Sequence, residues 1–248
     1  MLTAVLVGSL DLTHLATQSL GRVPGRTSSV PLPAQARQLT AVPGGTSAGL
    51  VLAAGASSRM GSPKQLLPVN GRPLLEVVVA EVSASRLDQV LVVLGANADE
   101  LLRRLQLGRA QPLVNADHAS GMSSSLKAGL RALPAEVERA VVILGDQPAI
   151  SAALLNELLD LEESSGRPAA ALSFDGLLHP PVLLRRELWP DLMSLEGDVG
   201  CRRLIRSRPD LVSALPVRGG GRHPLDVDTP ADYQRLLTSE RWTAGPLD

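Results

Sequence analysis

From Gly49 onward, short apolar runs alternate with stretches whose apolar residues recur at helical spacing. This alternation limits the possible folds more than any other feature of the chain. The runs GLVLAA (49–54), QVLVVLG (89–95), QPLVNA (111–116), RAVVILG (139–145) and AAALSF (169–174) are bounded by turn residues and read as buried strands. Between them, PLLEVVVAEVSAS (73–85), ADELLRRLQ (98–106), MSSSLKAGLRAL (122–133) and SAALLNELLDLEESS (151–165) carry the helical pattern. Ser151 stands as the N-cap of the fourth helix and Gly166 as its stop. Units of about 20–30 residues predict an α/β fold, a three-layer α/β/α arrangement around a mostly parallel sheet. Ligands of such sheets lie beyond the carboxyl ends of the strands. Nearly all the polar clusters of this chain fall there.

Composition narrows the function. The 248 residues suffice for one large α/β domain or two small ones. Lys and Arg total 24 against 25 Asp and Glu, so no global basic field recruits nucleic acid or a membrane surface. Aromatic residues are 2% of the chain, which leaves few platforms for stacking single-stranded bases. The single cysteine, Cys201, forbids an intramolecular disulfide and a cysteine-built zinc site, and suits a reducing cytosol. Residues 1–47 differ from the rest. Their apolar start lacks a preceding cation and is broken by Asp11, so it is neither a membrane span nor a signal peptide. A Pro-, Gly- and Ser-rich stretch follows. We expect a disordered or weakly structured leader over 1–47, one α/β domain over 48–240 and a tail over 241–248.

The loop after the first strand, LAAGASSRMGSPKQLLPV (52–69), is the most informative. Gly55, Ser57, Ser58 and Gly61 let successive backbone N–H groups face one concavity, a nest for phosphate oxygens. Arg59 can grip two such oxygens at once, and Lys64 adds a movable point charge. No Gly-Lys-Ser/Thr ends the loop, so it is not a Walker loop, and its glycine spacing is not that of a dinucleotide fingerprint. A plain connector bearing two solvated cations is the competing reading.

Three further clusters carry chemistry. Asp146 leaves a central strand within VVILGDQPA, where a divalent cation bound by one or two carboxylates and substrate phosphates would find a ligand. The alternative is a helix N-cap. In HPLDVDTPADYQRLL, Asp226 and Asp228 would share one face of a short strand. Pro230 suits a first helical position, so one of the two could cap the last helix instead. We take Asp226 as the second metal ligand and Asp228 as cap or outer-shell group. NADHASGMSSSLKAGL sets Asn115 at a strand end and opens a helix with serines, an arrangement that attracts an anion or ribose or merely caps itself.

The segment LAAGASSRMGSPKQLLPVNGRPLL resembles the signature LAAGxSxRMGxxKxLLPxxGxPLL of the MobA-like nucleotidyltransferases, and within them the molybdenum-cofactor cytidylyltransferases. The likeness covers roughly residues 49–238. It implies a Rossmann-like, nucleotide-diphospho-sugar transferase (GT-A-like) fold. It also implies that Leu52, Ala53, Ala54 and Gly55 line base and ribose, that Arg59, Gly61 and Lys64 hold the triphosphate, and that Asn115, Ser124 and Ser125 touch the nucleotide. Gly-Asp-Gln-Pro at 145–148 matches the family's metal motif, so Asp146, Asp226 and Asp228 become the set for Mg²⁺ or Mn²⁺. The Ala-Ala-Gly form at 53–55 is the one associated with cytidine. His179-Pro180 and Gly197-Asp198-Val199-Gly200 match the acceptor segment, although Leu178 stands where Gly is usual and Pro181 adds a second proline. Arg202, Arg203 and Arg206 fall on one helix face, facing either the acceptor or solvent.

The resemblance implies transfer of CMP from CTP to the phosphate of molybdenum-bound pterin, with pyrophosphate released and with Arg59, Lys64 and Asp146 as the catalytic groups. A cytoplasmic monomer is expected, with a molybdenum hydroxylase as a further partner and neither nucleic acid nor membrane among its ligands. A GTP-using enzyme, an NTP transferase acting on a sugar or polyol phosphate, and a non-catalytic cofactor-delivery chaperone are the alternatives.

Overall fold

The computed structural model describes residues 47–57, 60–217 and 226–238. Strand β1 (Ser47–Ala53) is followed by a two-stranded hairpin, β2 (Pro68–Val69) and β3 (Arg72–Pro73), and by helix α1 (Leu74–Ala84). Next come β4 (Gln89–Leu94), α2 (Ala98–Arg104), β5 (Gln111–Val114), α3 (Met122–Ala132), β6 (Arg139–Leu144) and α4 (Ala152–Ser165). The chain continues through β7 (Ala169–Phe174), β8 (Leu177–Arg185), α5 (Trp189–Met193), α6 (Arg202–Ser207) and β9 (Val212–Pro216) to α7 (Pro230–Leu237).

Seven strands form one sheet in the order β5-β4-β1-β6-β8-β7-β9. Strands β5, β4, β1 and β6 are parallel to one another, and β9 is parallel to β7. Only β8 runs against its neighbours, β6 and β7. The sheet is therefore mostly parallel, as the strand–helix alternation predicts. The chain moves outward from β1 through β4 to β5, then returns to the other side of β1 as β6. That reversal opens a crevice beyond the carboxyl ends of β1 and β6.

Side chains alternate between the two faces with period two. Val51, Ala53, Val92, Leu94, Val141 and Ile143 pack with Val78 of α1, Leu101 of α2, Leu158 of α4 and Leu236 of α7. Their sequence neighbours Leu50, Leu52, Leu91, Val93, Ala140 and Val142 pack with Leu126 of α3, Leu192 of α5 and Ile205 of α6. The result is three layers with an aliphatic core on each side. Close packing needs a glycine at one point: a Cβ on Gly129 of α3 would lie 2.3 Å from Leu50 Cδ1.

Helix ends follow local chemistry. The Ser151 hydroxyl accepts a hydrogen bond from Leu154 N at the start of α4, and Gly166 ends it at φ 66°. Helix α2 has Asp99 and Glu100 in its first turn and Arg103 and Arg104 in its last, opposite in sign to the helix dipole. Thr229 and Asp232 form a capping box at α7, with Pro230 just inside.

Candidate active site

The ends of β1 and β6 are drawn together where a side chain would intrude. Gly145 N donates to Leu52 O at 2.9 Å, and a Cβ on Gly145 would meet Ala53 Cβ at 2.8 Å. Asp146 follows at once, at the mouth of the crevice. The loop leaving β1 is pinned from inside by Gln65, which is 3% exposed. Its Nε2 donates to Ala53 O at 3.0 Å and Gly55 O at 3.2 Å. Ser57, at φ 54°, donates its hydroxyl to Gln65 Oε1 and accepts from Lys64 N at 3.0 Å. A 3-10 turn over Lys64–Leu66 then aims the Lys64 side chain across the crevice.

Lys64 Nζ lies 2.5 Å from Asp146 Oδ2 and 2.9 Å from Asp228 Oδ1. Burial pulls the ammonium's pKa down, but attraction and hydrogen bonds from the two carboxylates outweigh it, and the net shift is upward. Burial pushes the Asp146 carboxyl up; Lys64 offsets this in part, and the charges of Asp226 and Asp228 add to it. Asp146 Oδ1 is buried and has no hydrogen-bond partner. An oxygen left open in this way fits a hard divalent cation.

Two expectations about the second carboxylate segment are corrected. Residues 226–228 are not a strand: Val227 N donates one hydrogen bond to Asp146 O at 3.1 Å, and no ladder extends from it. Nor does Asp228 cap the last helix, because Thr229 holds that position while Asp228 faces Lys64. Asp226 is fixed differently, accepting from Gln147 Nε2 at 2.6 Å. Among the described residues no group of three or more His, Cys, Asp and Glu could hold a metal by itself. A cation here would need substrate oxygens to complete its shell.

These groups border a cleft of about 940 Å³. Leu52, Ala53, Ala54, Gly55, Lys64 and Ser125 line it, and so do Asp146, Asp226 and Asp228. Of the expected acceptor residues, Pro180, Asp198 and Gly200 line the same cleft. Gly61 stands outside it in a turn at φ 68°, while Arg59 lies outside the described residues, as do 1–46 and the glycine-rich run 218–224. Asn115, Ser124 and Gly197 line a separate cavity of about 430 Å³ instead. There Asn115 Nδ2 donates to the Ser124 and Ser125 hydroxyls at 2.9 and 3.0 Å, holding the start of α3. His179 borders neither cavity; it sits on β8 opposite Leu172.

Sequence reasoning missed several participants. Gln65 organises the loop from a buried position, and its only signal was its place beside Lys64 inside the motif. His118 lines the cleft against Gly95, where a Cβ would come within 2.5 Å of the His118 Cβ. Nothing in the local sequence marked it. Cys201 also borders the cleft, but burial pushes its thiol up to about 12, so it stays protonated.

The chain is similar to several known proteins. The sequence pattern of the MobA-like NTP transferase domain matches residues 49–212. The chain is 36% identical to nicotine blue oxidoreductase of Paenarthrobacter nicotinovorans, covering 76% of this chain and 95% of that protein. It is 33% identical to the purine catabolism protein PucB of Bacillus subtilis, covering 76% and 94%. Among solved structures, Rv0371c of Mycobacterium tuberculosis in complex with manganese superposes with a TM-score of 0.68 at 30% identity, covering 78% and 99%. A nucleotidyl transferase of Methanothermobacter thermautotroptrophicus shares the fold, with a TM-score of 0.65 at 24% identity over 77% and 95%.

Proposed function

This chain belongs to the MobA-like NTP transferase family, and on that premise we propose that it transfers CMP from CTP to the phosphate of molybdenum-bound pterin. The observation that carries this reading is the meeting of Lys64, Asp146 and the Leu52–Gly55 segment in one cleft. An oxygen of the acceptor phosphate forms a bond to the α-phosphorus of CTP. The bond from that phosphorus to the bridging oxygen breaks, and pyrophosphate leaves with the electron pair. The acceptor phosphate is already ionised, so the step needs no general base. What remains is positioning and charge neutralisation.

Lys64 would move from its carboxylate partners toward the β- and γ-phosphates. Asp146 and Asp226 would hold Mg²⁺ or Mn²⁺; the open Asp146 Oδ1 and the fixing of Asp226 by Gln147 support that assignment. When bound there, such a cation would supply positive charge against the negative charge of the reacting phosphates. Ala54 borders the cleft in the segment assigned to the base, and a methyl there in place of a hydrogen would favour a pyrimidine over a purine. Arg59 is assigned to the triphosphate on its place in the motif alone. The product would pass to a molybdenum hydroxylase in the cytoplasm.

The test is pyrophosphate release from CTP, GTP, ATP and UTP with the pterin acceptor and with sugar and polyol phosphates. Turnover with CTP and the pterin acceptor is expected, and equal turnover with GTP would overturn the cytidine assignment. Asp146→Asn separates an enzyme from a delivery chaperone, since only the enzyme loses hydroxylase maturation with that carboxylate. A second reading rests on the 36% identity to a protein named an oxidoreductase. It requires turnover of a redox substrate without pyrophosphate release, measured in the same preparations.

A further inference from the structure

We propose that Arg202, Arg203 and Arg206 form a second anion subsite of the cleft, so that the acceptor carries a negatively charged group remote from the phosphate that reacts. The proposal rests on the transferase reading and extends it to the class of acceptor. All three arginines border the same cleft as Asp146. They lie at i, i+1 and i+4 of α6, so Arg206 is a helical neighbour of both Arg202 and Arg203. Leu204 and Ile205 of the same helix are buried, which fixes which side of α6 faces the core.

Among the described residues none of the three has a carboxylate within ion-pair distance, whereas Arg208, just beyond the helix, pairs with Asp210 at 3.7 Å. Arg203 and Arg206 are exposed to the cleft and solvent, with their charge uncompensated. Guanidinium groups that border one cavity without carboxylate partners suit a multiply charged oxoanion or carboxylate.

The two charged ends of the cleft come from opposite layers. Val227, between the two aspartates, packs with the α1 and α4 core, and the partly buried Leu66 joins the same core beside Lys64. Cys201, Leu204 and Ile205 pack with the α3 and α5 core across the sheet. A molecule reaching from Asp146 to α6 must therefore cross the carboxyl edge of the sheet within the cleft that Pro180, Asp198 and Gly200 also line. A simple sugar or polyol monophosphate has one anionic group and would leave the arginine end unused. A phosphate monoester with a second anionic centre, such as a metal-oxo group or carboxylate, engages both ends.

The probe is inorganic tungstate, a tetrahedral dianion, titrated calorimetrically into the full chain saturated with Mg²⁺ and a non-hydrolysable CTP analogue. Wild-type protein binds it, and binding weakens as NaCl rises. The double variant Arg203→Gln/Arg206→Gln binds tungstate at least tenfold more weakly while its affinity for the CTP analogue stays within twofold. Arg203→Lys/Arg206→Lys retains tungstate affinity within about threefold and controls for folding. Absence of tungstate binding by wild-type protein, equal binding by wild type and the Gln variant, or weakening of the CTP analogue instead overturns the subsite. Should the analogue fail to bind at all while arginine-dependent tungstate binding persists, the transferase reading fails and the subsite stands.

Discussion

Lys64 and Asp146, 82 residues apart in sequence, form a partly buried ion pair at 2.5 Å at the carboxyl edge of the sheet. The same ammonium also reaches Asp228, so one lysine balances two carboxylates drawn from distant parts of the chain. Removing it leaves Asp146 without its counter-charge in a largely buried position. Lys64→Met should lower stability by about 2 kcal/mol, less than for a fully buried pair because both side chains keep some water. It should also abolish nucleotidyl transfer. Chemical denaturation with and without Mg²⁺ checks this: added cation is expected to recover part of the lost stability.

Asp146 gives a pH signature whose sign is fixed by burial. Its folded-state pKa lies above the ordinary 3.8, so the protonated form favours folding. That contribution is complete below the unfolded value and is lost as pH rises through the folded value. At neutral pH the ionised carboxyl is therefore a cost to the metal-free protein. Asp146→Asn should raise the metal-free unfolding midpoint at pH 7, with the advantage disappearing below about pH 4. Mg²⁺ or Mn²⁺ should raise the midpoint of wild type and leave the variant unmoved. A midpoint for the variant below that of wild type at neutral pH would contradict the sign.

Gln65 carries the nucleotide loop on one amide. Gln65→Leu leaves Ala53 O and Gly55 O without their donor, and the Ala53 carbonyl loses its bond in a buried position while that of Gly55 is nearer to solvent. A cost of about 1–3 kcal/mol is expected in urea unfolding. If the loop holds the nucleotide as proposed, KM for the NTP should rise several-fold with little change in kcat.

Thr229 and Asp228 are adjacent and should behave oppositely. Thr229→Ala removes the capping box of α7 and should cost about 1 kcal/mol while activity stays within about twofold. Asp228→Asn leaves the cap intact and should change activity and metal affinity more than stability. Parallel unfolding and pyrophosphate assays on the two variants decide it; a stability loss confined to Asp228→Asn would restore it as the cap.

Strands β1, β4, β5, β6 and β7 could be read from the sequence because each is an apolar run closed by turn residues, and α1 to α4 because one or two apolar faces repeat at helical spacing. Strand β8 could not. Its LLHPPVLLR holds two prolines, which lack ladder donors and ordinarily argue against a strand inside a sheet. Its direction, against both neighbours, leaves no trace in composition either. The site divides in the same way. Asp146 announced itself at a strand exit, since strand ends locate ligands in this class of sheet. The linkage of Val227 to Asp146 depends on how two distant segments meet, and period two alone suggested a strand where a single bond exists. Asn115 and Ser124 have the right chemistry for a ligand, and the structure shows them in a second role, tying the segment after β5 to the start of α3.

Strand β9 completes the seven-stranded sheet at Pro216, whereas Asp226 and Asp228 come later and are fastened through Val227 to the peptide of Asp146. Synthesis therefore delivers the scaffold first and the remaining acids last. A nascent chain halted between the two would own the loop and one carboxylate but could not assemble the full set of reacting groups. On the transferase reading the segment before α7 completes the site, and a truncation after Pro216 should yield an inert protein that has also lost the core contacts of Val227 and Leu236.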